Sequence, residues 1–223
     1  PAAPKINVID LPIVPPKEYT FATTPFWADE FEKDGLPDAS KWGYDVGNSG
    51  WGNNELQNYT NANIKNAHIE KGILTIEAIK ETAGSSAYTS ARIVTKGKND
   101  FLYGRIEAKA KIPAGRGNWP AIWMLGKNIN ESGAYWETQG FGTTSWPASG
   151  EIDIMEHWGR NENFVQSAMH TPSSSGNTEN IGGQTVATAT SQFHIYKLEW
   201  TAEQMVFSVD DIVHYTYAPA VKD

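Results

Sequence analysis

Apolar and polar residues alternate with a period of two along much of the chain. From Phe101 to Ile112 the run Gly104-Arg105-Ile106-Glu107-Ala108-Lys109-Ala110-Lys111 sets charged and apolar side chains on opposite sides of an extended backbone, and Pro113 ends it. The same alternation predicts strands at Asn163 to Thr171, His194 to Trp200 and Val206 to Tyr217. Thr201-Ala202-Glu203-Gln204 joins the last two as a hairpin, and Asp210-Asp211 marks a further tight turn. Ile64 to Glu81 reads as a hairpin turning at Glu70-Lys71-Gly72. Arg92 lies in another strand, and Asn118 to Leu125 supplies one whose Trp119 and Trp123 share a face by their even spacing. No convincing long amphipathic helix and no internal repeat interrupts this series. Many short strands separated by turn signals predict an all-β sandwich.

Three segments fall outside the alternation. Residues 1–18 hold five of the 12 prolines and read as an extended arm or linker ahead of a single domain at 19–223, because proline cannot donate to a sheet ladder. Residues 126–149 form a long loop rich in Gly, Ser and Thr that also carries Tyr135, Trp136, Phe141 and Trp146. Loops of that length inside a domain are usually functional, and Trp146 stands nearest in sequence to the acidic strand that follows. Residues 171–190 read as a second polar loop.

That acidic strand is Gly150-Glu151-Ile152-Asp153-Ile154-Met155-Glu156-His157-Trp158. Glu151 and Asp153 share a face, but Glu156 is an odd number of residues from Glu151 and would point the other way in a regular strand. A β-bulge at Ile154-Met155 restores the phase, so that Glu151, Asp153, Glu156 and Trp158 line one face. Three carboxylates held together repel and raise one another's pKa, an arrangement costly as architecture and suited to acid/base chemistry.

Composition narrows the partner. The 223 residues carry a net charge of -8 with acidic and basic groups dispersed, so no basic patch points to nucleic acid. No apolar run is long enough to span a membrane, and the absence of cysteine excludes disulfides and thiol chemistry. Nine Trp, nine Tyr and eight Phe exceed what core packing alone explains and suit stacking on the apolar C–H faces of sugar rings. Beside Trp51, the amides of Asn48, Asn53, Asn54, Gln57 and Asn58 are candidates for hydrogen bonds to sugar hydroxyls, though Asn and Gly also serve turns for backbone reasons.

The segment 150–157 resembles the signature of glycoside hydrolase family 16 in its bulged form, and most resembles the bacterial laminarinases, endo-acting β-1,3-glucanases. Trp51 to Tyr59, Ser90 to Ile93, Gly117 to Leu125 and Ala168 to Thr171 extend the resemblance from about Phe26 to the end of the chain. It implies a β-jelly roll of two antiparallel sheets with substrate across the concave one. It also implies retaining hydrolysis, which suits carboxyls about 5–5.5 Å apart, against roughly 6.5–9.5 Å for inversion. Glu151 would be the nucleophile, Glu156 the acid/base, and Asp153 a hydrogen-bonding partner of Glu151 between them. Asn54, Arg92 and His170 would contact substrate in the cleft, with Trp119, Trp123, Trp146 and Trp158 as stacking platforms.

The resemblance implies no cofactor for catalysis. It does imply a structural Ca2+ on the convex face, for which Glu30 and the carbonyl of Gly72 are the nearest matches. A β-glucan polysaccharide or oligosaccharide is the expected partner of a monomer that is secreted or at the cell surface. The family's closing C-terminal strands are expected beyond Asp223. Two alternatives remain open: a hydrolase of marine galactans (agarase or carrageenase type), and a non-catalytic glucan-binding module.

Overall fold

The computed structural model describes residues 18–130, 140 and 142–219. Residues 1–17, and with them almost all of the expected N-terminal arm, lie outside the described residues, as do Tyr135, Trp136 and Phe141. The described residues form strands and no helix, ordered β1 (Gly43–Asp45), β2 (Gln57–Tyr59), β3 (Ala67–Glu70), β4 (Ile73–Ile76), β5 (Tyr88–Ser90), β6 (Arg92–Val94), β7 (Gly104–Ala110), β8 (Ala121–Leu125), β9 (Glu151–Glu156), β10 (Phe164–His170), β11 (Ile181–Thr185), β12 (His194–Trp200), β13 (Met205–Val209) and β14 (Ile212–Tyr217).

Two four-stranded antiparallel sheets dominate. One runs β11-β10-β9-β8 and the other β14-β13-β12-β7. Three two-stranded pairs accompany them: β1 with β6, β3 with β4, and β2 with β5, the last of these parallel. The architecture is the expected β-jelly-roll sandwich. Its core lies between the large sheets, where Ile152, Met155, Val165 and Met169 of one meet Tyr196, Leu198, Phe207 and Val209 of the other. Tyr196, Leu198 and Phe207 are at most 1% exposed, so the alternation read from the sequence has become a dry layer. Along β7, the outward Arg105, Glu107 and Lys109 keep the opposite side polar.

Turn chemistry sets the registers. Lys71 and Gly72 take φ of 52° and 78°, and Asp210 and Asp211 take 49° and 66°, the left-handed pairs that let two residues close a hairpin between right-twisted strands. The expected loop at 171–190 contains β11, whose sequence Ile-Gly-Gly-Gln-Thr offers no strand signal. Gly182 and Gly183 have a tertiary reason: a Cβ on either would come within 2.6 Å of Tyr215 or of Phe164, respectively. The strand exists because two rings pack against bare backbone, which periodicity does not report.

Candidate active site

The bulge in β9 is present where the phase argument put it. Asp153 and Glu156 pair with Ala168 and Gln166 of β10, so that two residues, Ile154 and Met155, face the single Ser167, and they pair with Trp123 and Ala121 of β8. Ile154 is the extra residue, with no register partner on either side. Glu151, Asp153 and Glu156 therefore share one face of the sheet. Across the strands, Glu151 stands beside Leu125 and His170, and Asp153 beside Trp123 and Ala168. The other face of β9 gives Ile152 and Met155 to the core.

Each outer glutamate is held by an indole. The Trp146 Nε1 donates to Glu151 Oε2 at 2.8 Å, and the Trp119 Nε1 donates to Glu156 Oε1 at 3.0 Å. Both tryptophans remain 42% exposed. An indole fixed through its N–H with its ring open to solvent is a platform with one end wet and the other apolar. Trp158 extends the second platform by stacking on Trp119, centroids 5.6 Å apart, and Trp146 lies 5.8 Å from the His170 ring.

Beside Asp153, expected to bond Glu151, stands an imidazole. It belongs to His170, with Nε2 3.1 Å from Asp153 Oδ2 and 3.9 Å from Glu151 Oε1; no hydrogen bond between Asp153 and Glu151 occurs among the described residues. The bond to Asp153 raises the His170 pKa above its ordinary value, outweighing the burial that lowers it.

Burial and the Asp153 charge push Glu151 and Glu156 each up to about 7. The cations are not shared evenly. His170 and Arg92 both favour the ionised form of Glu151, and the ion pair with His170 is at the Glu151 end. His170 also favours the ionised form of Glu156, so Arg92 is the cation that distinguishes the Glu151 end, while both carboxyls stay raised to about 7.

Arg92 is positioned by stacking. Its guanidinium lies 4.6 Å from the Trp51 ring and 4.5 Å from the Trp123 ring, and Nε is 3.2 Å from Asp45 Oδ2. A planar cation between two aromatic faces has lost its freedom before any ligand arrives. Trp51 and Asp45 were not among the residues singled out from the sequence. Trp51 belongs to the same segment as Asn54 and was a recoverable signal; Asp45 gave none, since only the β1–β6 pairing brings it to Arg92.

One expectation needs correction. Trp119 does not lie on a strand with Trp123, because β8 begins at Ala121 after Pro120, which has no N–H for a ladder. Both rings reach the site by separate routes. Asn54 is an exposed turn residue with φ of 56°, and its amide makes no hydrogen bond among the described residues.

Residues 51–222 match the model for glycosyl hydrolases family 16. The chain belongs to that family. It is 47% identical over 193 residues to a beta-glucanase of Rhodothermus marinus, covering 86% of this chain and 64% of that protein. The chain thus spans 64% of the length of that curated relative. The laminarinase structure from Rhodothermus marinus superposes with a TM-score of 0.78 at 45% identity, over 86% of this chain and 73% of that one. A laminarinase from Flavobacterium sp. UMI-01 gives 0.77 at 42% identity, over 88% and 79% of the respective chains.

The calcium ligands suggested for this family-16 chain do not make a site by themselves. Glu30 is exposed, and Gly72 sits in the β3–β4 turn, where Asp34 Oδ1 accepts from the Lys71 backbone N–H at 2.8 Å. One carboxylate and one carbonyl fall well short of the six to eight oxygens that Ca2+ takes. Among the described residues, a set of three possible metal donors occurs at Glu151, Asp153 and His170, where the carboxylates have acid/base surroundings instead.

Proposed function

We propose that the chain is a retaining endo-β-1,3-glucanase of the laminarinase type, acting as a monomer on β-glucan outside the cell. The observation that carries this reading is the bulged row of Glu151, Asp153 and Glu156 with an open indole platform fixed to each outer glutamate. The relatives named laminarinase and beta-glucanase support the substrate class.

In the first step Glu151, ionised beside His170 and Arg92, attacks the anomeric carbon. The glycosidic C–O bond breaks as Glu156 transfers its proton to the departing oxygen, leaving a glycosyl ester on Glu151. Esterification removes the charge of Glu151, so the pKa of Glu156 falls from its raised value. Glu156, now a carboxylate, takes a proton from water as that water attacks the anomeric carbon and Glu151 departs. Two inversions return the β configuration. Asp153, neutralised in part by His170, supplies the negative field that keeps Glu156 protonated before the first step and is itself unconsumed.

Anomeric proton NMR of the earliest products from laminarin tests this. Fresh β-anomer from internal cleavage is the expected result. Fresh α-anomer would mean inversion and remove Glu151 from the nucleophile role. Binding of laminarin without product would favour the glucan-binding module, and cleavage of agarose or carrageenan in its place would favour the galactan hydrolase.

A further inference from the structure

A polar chain of three side chains lies behind the bulge, on the core side of the sheet and away from the carboxylates. Ser167 stands on β10 between Gln166 and Ala168, the two residues that flank the register shift, and is 0% exposed. Its Oγ donates to the carbonyl of Ile154 at 2.7 Å. Ile154 is the residue left without a partner on both neighbouring strands. The hydroxyl therefore serves a carbonyl at the bulge itself, and a buried carbonyl without a donor is costly.

The chain continues across to the second sheet. Ser167 Oγ lies 2.8 Å from His214 Nε2, His214 Nδ1 lies 3.0 Å from Gln184 Nε2, and Gln184 Nε2 also donates to the Ile212 carbonyl at 3.1 Å. Donor counting settles the protons. Ser167 has one O–H and spends it on Ile154, so His214 must donate from Nε2 and accept at Nδ1 from Gln184. The two N–H groups of Gln184 then serve His214 and Ile212. Every donor has an acceptor only in the neutral Nε2–H tautomer, and burial, which holds His214 down at about 4, keeps it neutral.

The geometry points to Ser167, His214 and Gln184 as a positioning relay that clamps the bulge and so sets the aim of Glu156 relative to Glu151. The bulge is the sole reason that Glu156 shares a face with Glu151, and Ile154 is its hinge. A bulge free to relax toward regular pairing would swing Glu156 away from the Trp119 indole that orients it and from the Asp153 charge that favours its protonated form. These residues touch no substrate; they act through the backbone of β9. The inference rests on the hydrolase reading above, and the test separates the two.

The test compares Ser167→Ala with Ser167→Thr, which keeps the hydroxyl, and with Ser208→Ala. Ser208 is a buried serine of β13 whose hydroxyl has no hydrogen-bond partner among the described residues. Ser167→Ala is expected to lower kcat/KM on laminarin by about 10- to 100-fold, the scale of a misplaced reacting group. On a 2,4-dinitrophenyl β-glucoside of laminaribiose, whose leaving group needs no proton, the loss should stay under about threefold. Ser167→Thr should recover most of the activity, and Ser208→Ala should leave both substrates unchanged. Equal losses on both substrates, or no loss in folded Ser167→Ala, would overturn the relay.

If Ser167→Ala does not fold, Gln184→Ala at the outer end should show the same substrate split with smaller size; no split there also overturns it. If the wild type cleaves neither substrate, the hydrolase reading fails. The relay is then judged by 13C NMR titration of Glu156, which Ser167→Ala must shift and Ser208→Ala must not.

Discussion

The two faces of the β9–β10 pair place similar groups under opposite rules. On the site face, His170 meets Asp153 and Glu151 and its pKa rises. On the core side, His214 meets only neutral partners and its pKa falls to about 4. Both imidazoles are largely removed from water, so burial alone does not set the direction; the charge of the neighbours does. The site face keeps three acids in mutual repulsion and uses indoles and cations to hold them. The core side satisfies each polar atom in turn and keeps the strand's irregularity fixed. One face stores the reactivity, and the other stores the shape it needs.

The largest effect that would break this comparison concerns Glu151, the proposed nucleophile. Glu151→Gln should lower kcat on laminarin by on the order of 10⁴-fold or more while oligosaccharide binding, measured by calorimetry, persists. Substantial turnover by a clean preparation would place the nucleophile elsewhere. Next, Glu156→Gln should cost about 10²- to 10⁴-fold on laminarin and far less in kcat/KM on an aryl glycoside with an activated leaving group. A uniform loss on both substrates would mean that Glu156 is not the acid.

A change confined to the other sheet should do the reverse. Leu198→Ala on β12, 0% exposed, should cost about 2–5 kcal/mol in denaturant unfolding and leave the pH–rate profile in place. Movement of that profile would show that the two layers are coupled more tightly than their separate chemistry implies. Trp119→Phe removes a bond that favours ionised Glu156, so the alkaline limb of kcat/KM should move upward while the acidic limb stays.

The smallest effect is in stability against pH. Glu151 and Glu156 have folded pKa values raised from 4.5 to about 7, so the native state binds more protons between those values and stability falls as pH rises through that window. Glu151→Gln should therefore be more stable than wild type above pH 7, and an equal or lower melting temperature at about pH 8 would contradict the raised value. His214 works in the opposite sense. Its folded pKa lies below its ordinary 6.5, so its share of stability is present above 6.5 and lost as pH falls toward about 4. His214→Gln should flatten that acidic slope, which a melting series from pH 4 to 7 would detect.

Much of this was legible before any coordinates. The alternation at 104–112 and 194–217 marks the packing sheet, and the odd spacing of Glu156 demands a bulge by arithmetic alone. Local rules failed at two kinds of place. β11 was hidden because its glycines answer to Tyr215 and Phe164, residues distant in the chain. Trp119 was assigned to a strand because even spacing ignores the proline beside it.

The sequence by itself determined the fold class, the face that carries the three carboxylates and the need for an extra residue between Asp153 and Glu156, because all three follow from a two-residue period. Tertiary structure alone decided which groups meet those carboxylates. The indoles on Glu151 and Glu156, the pairing of Asp153 with His170, the stacking of Arg92 between Trp51 and Trp123, and the hydroxyl of Ser167 behind Ile154 each join separate elements or loops. Periodicity fixes direction along one strand; pKa and aim depend on what the neighbouring strands and loops bring alongside.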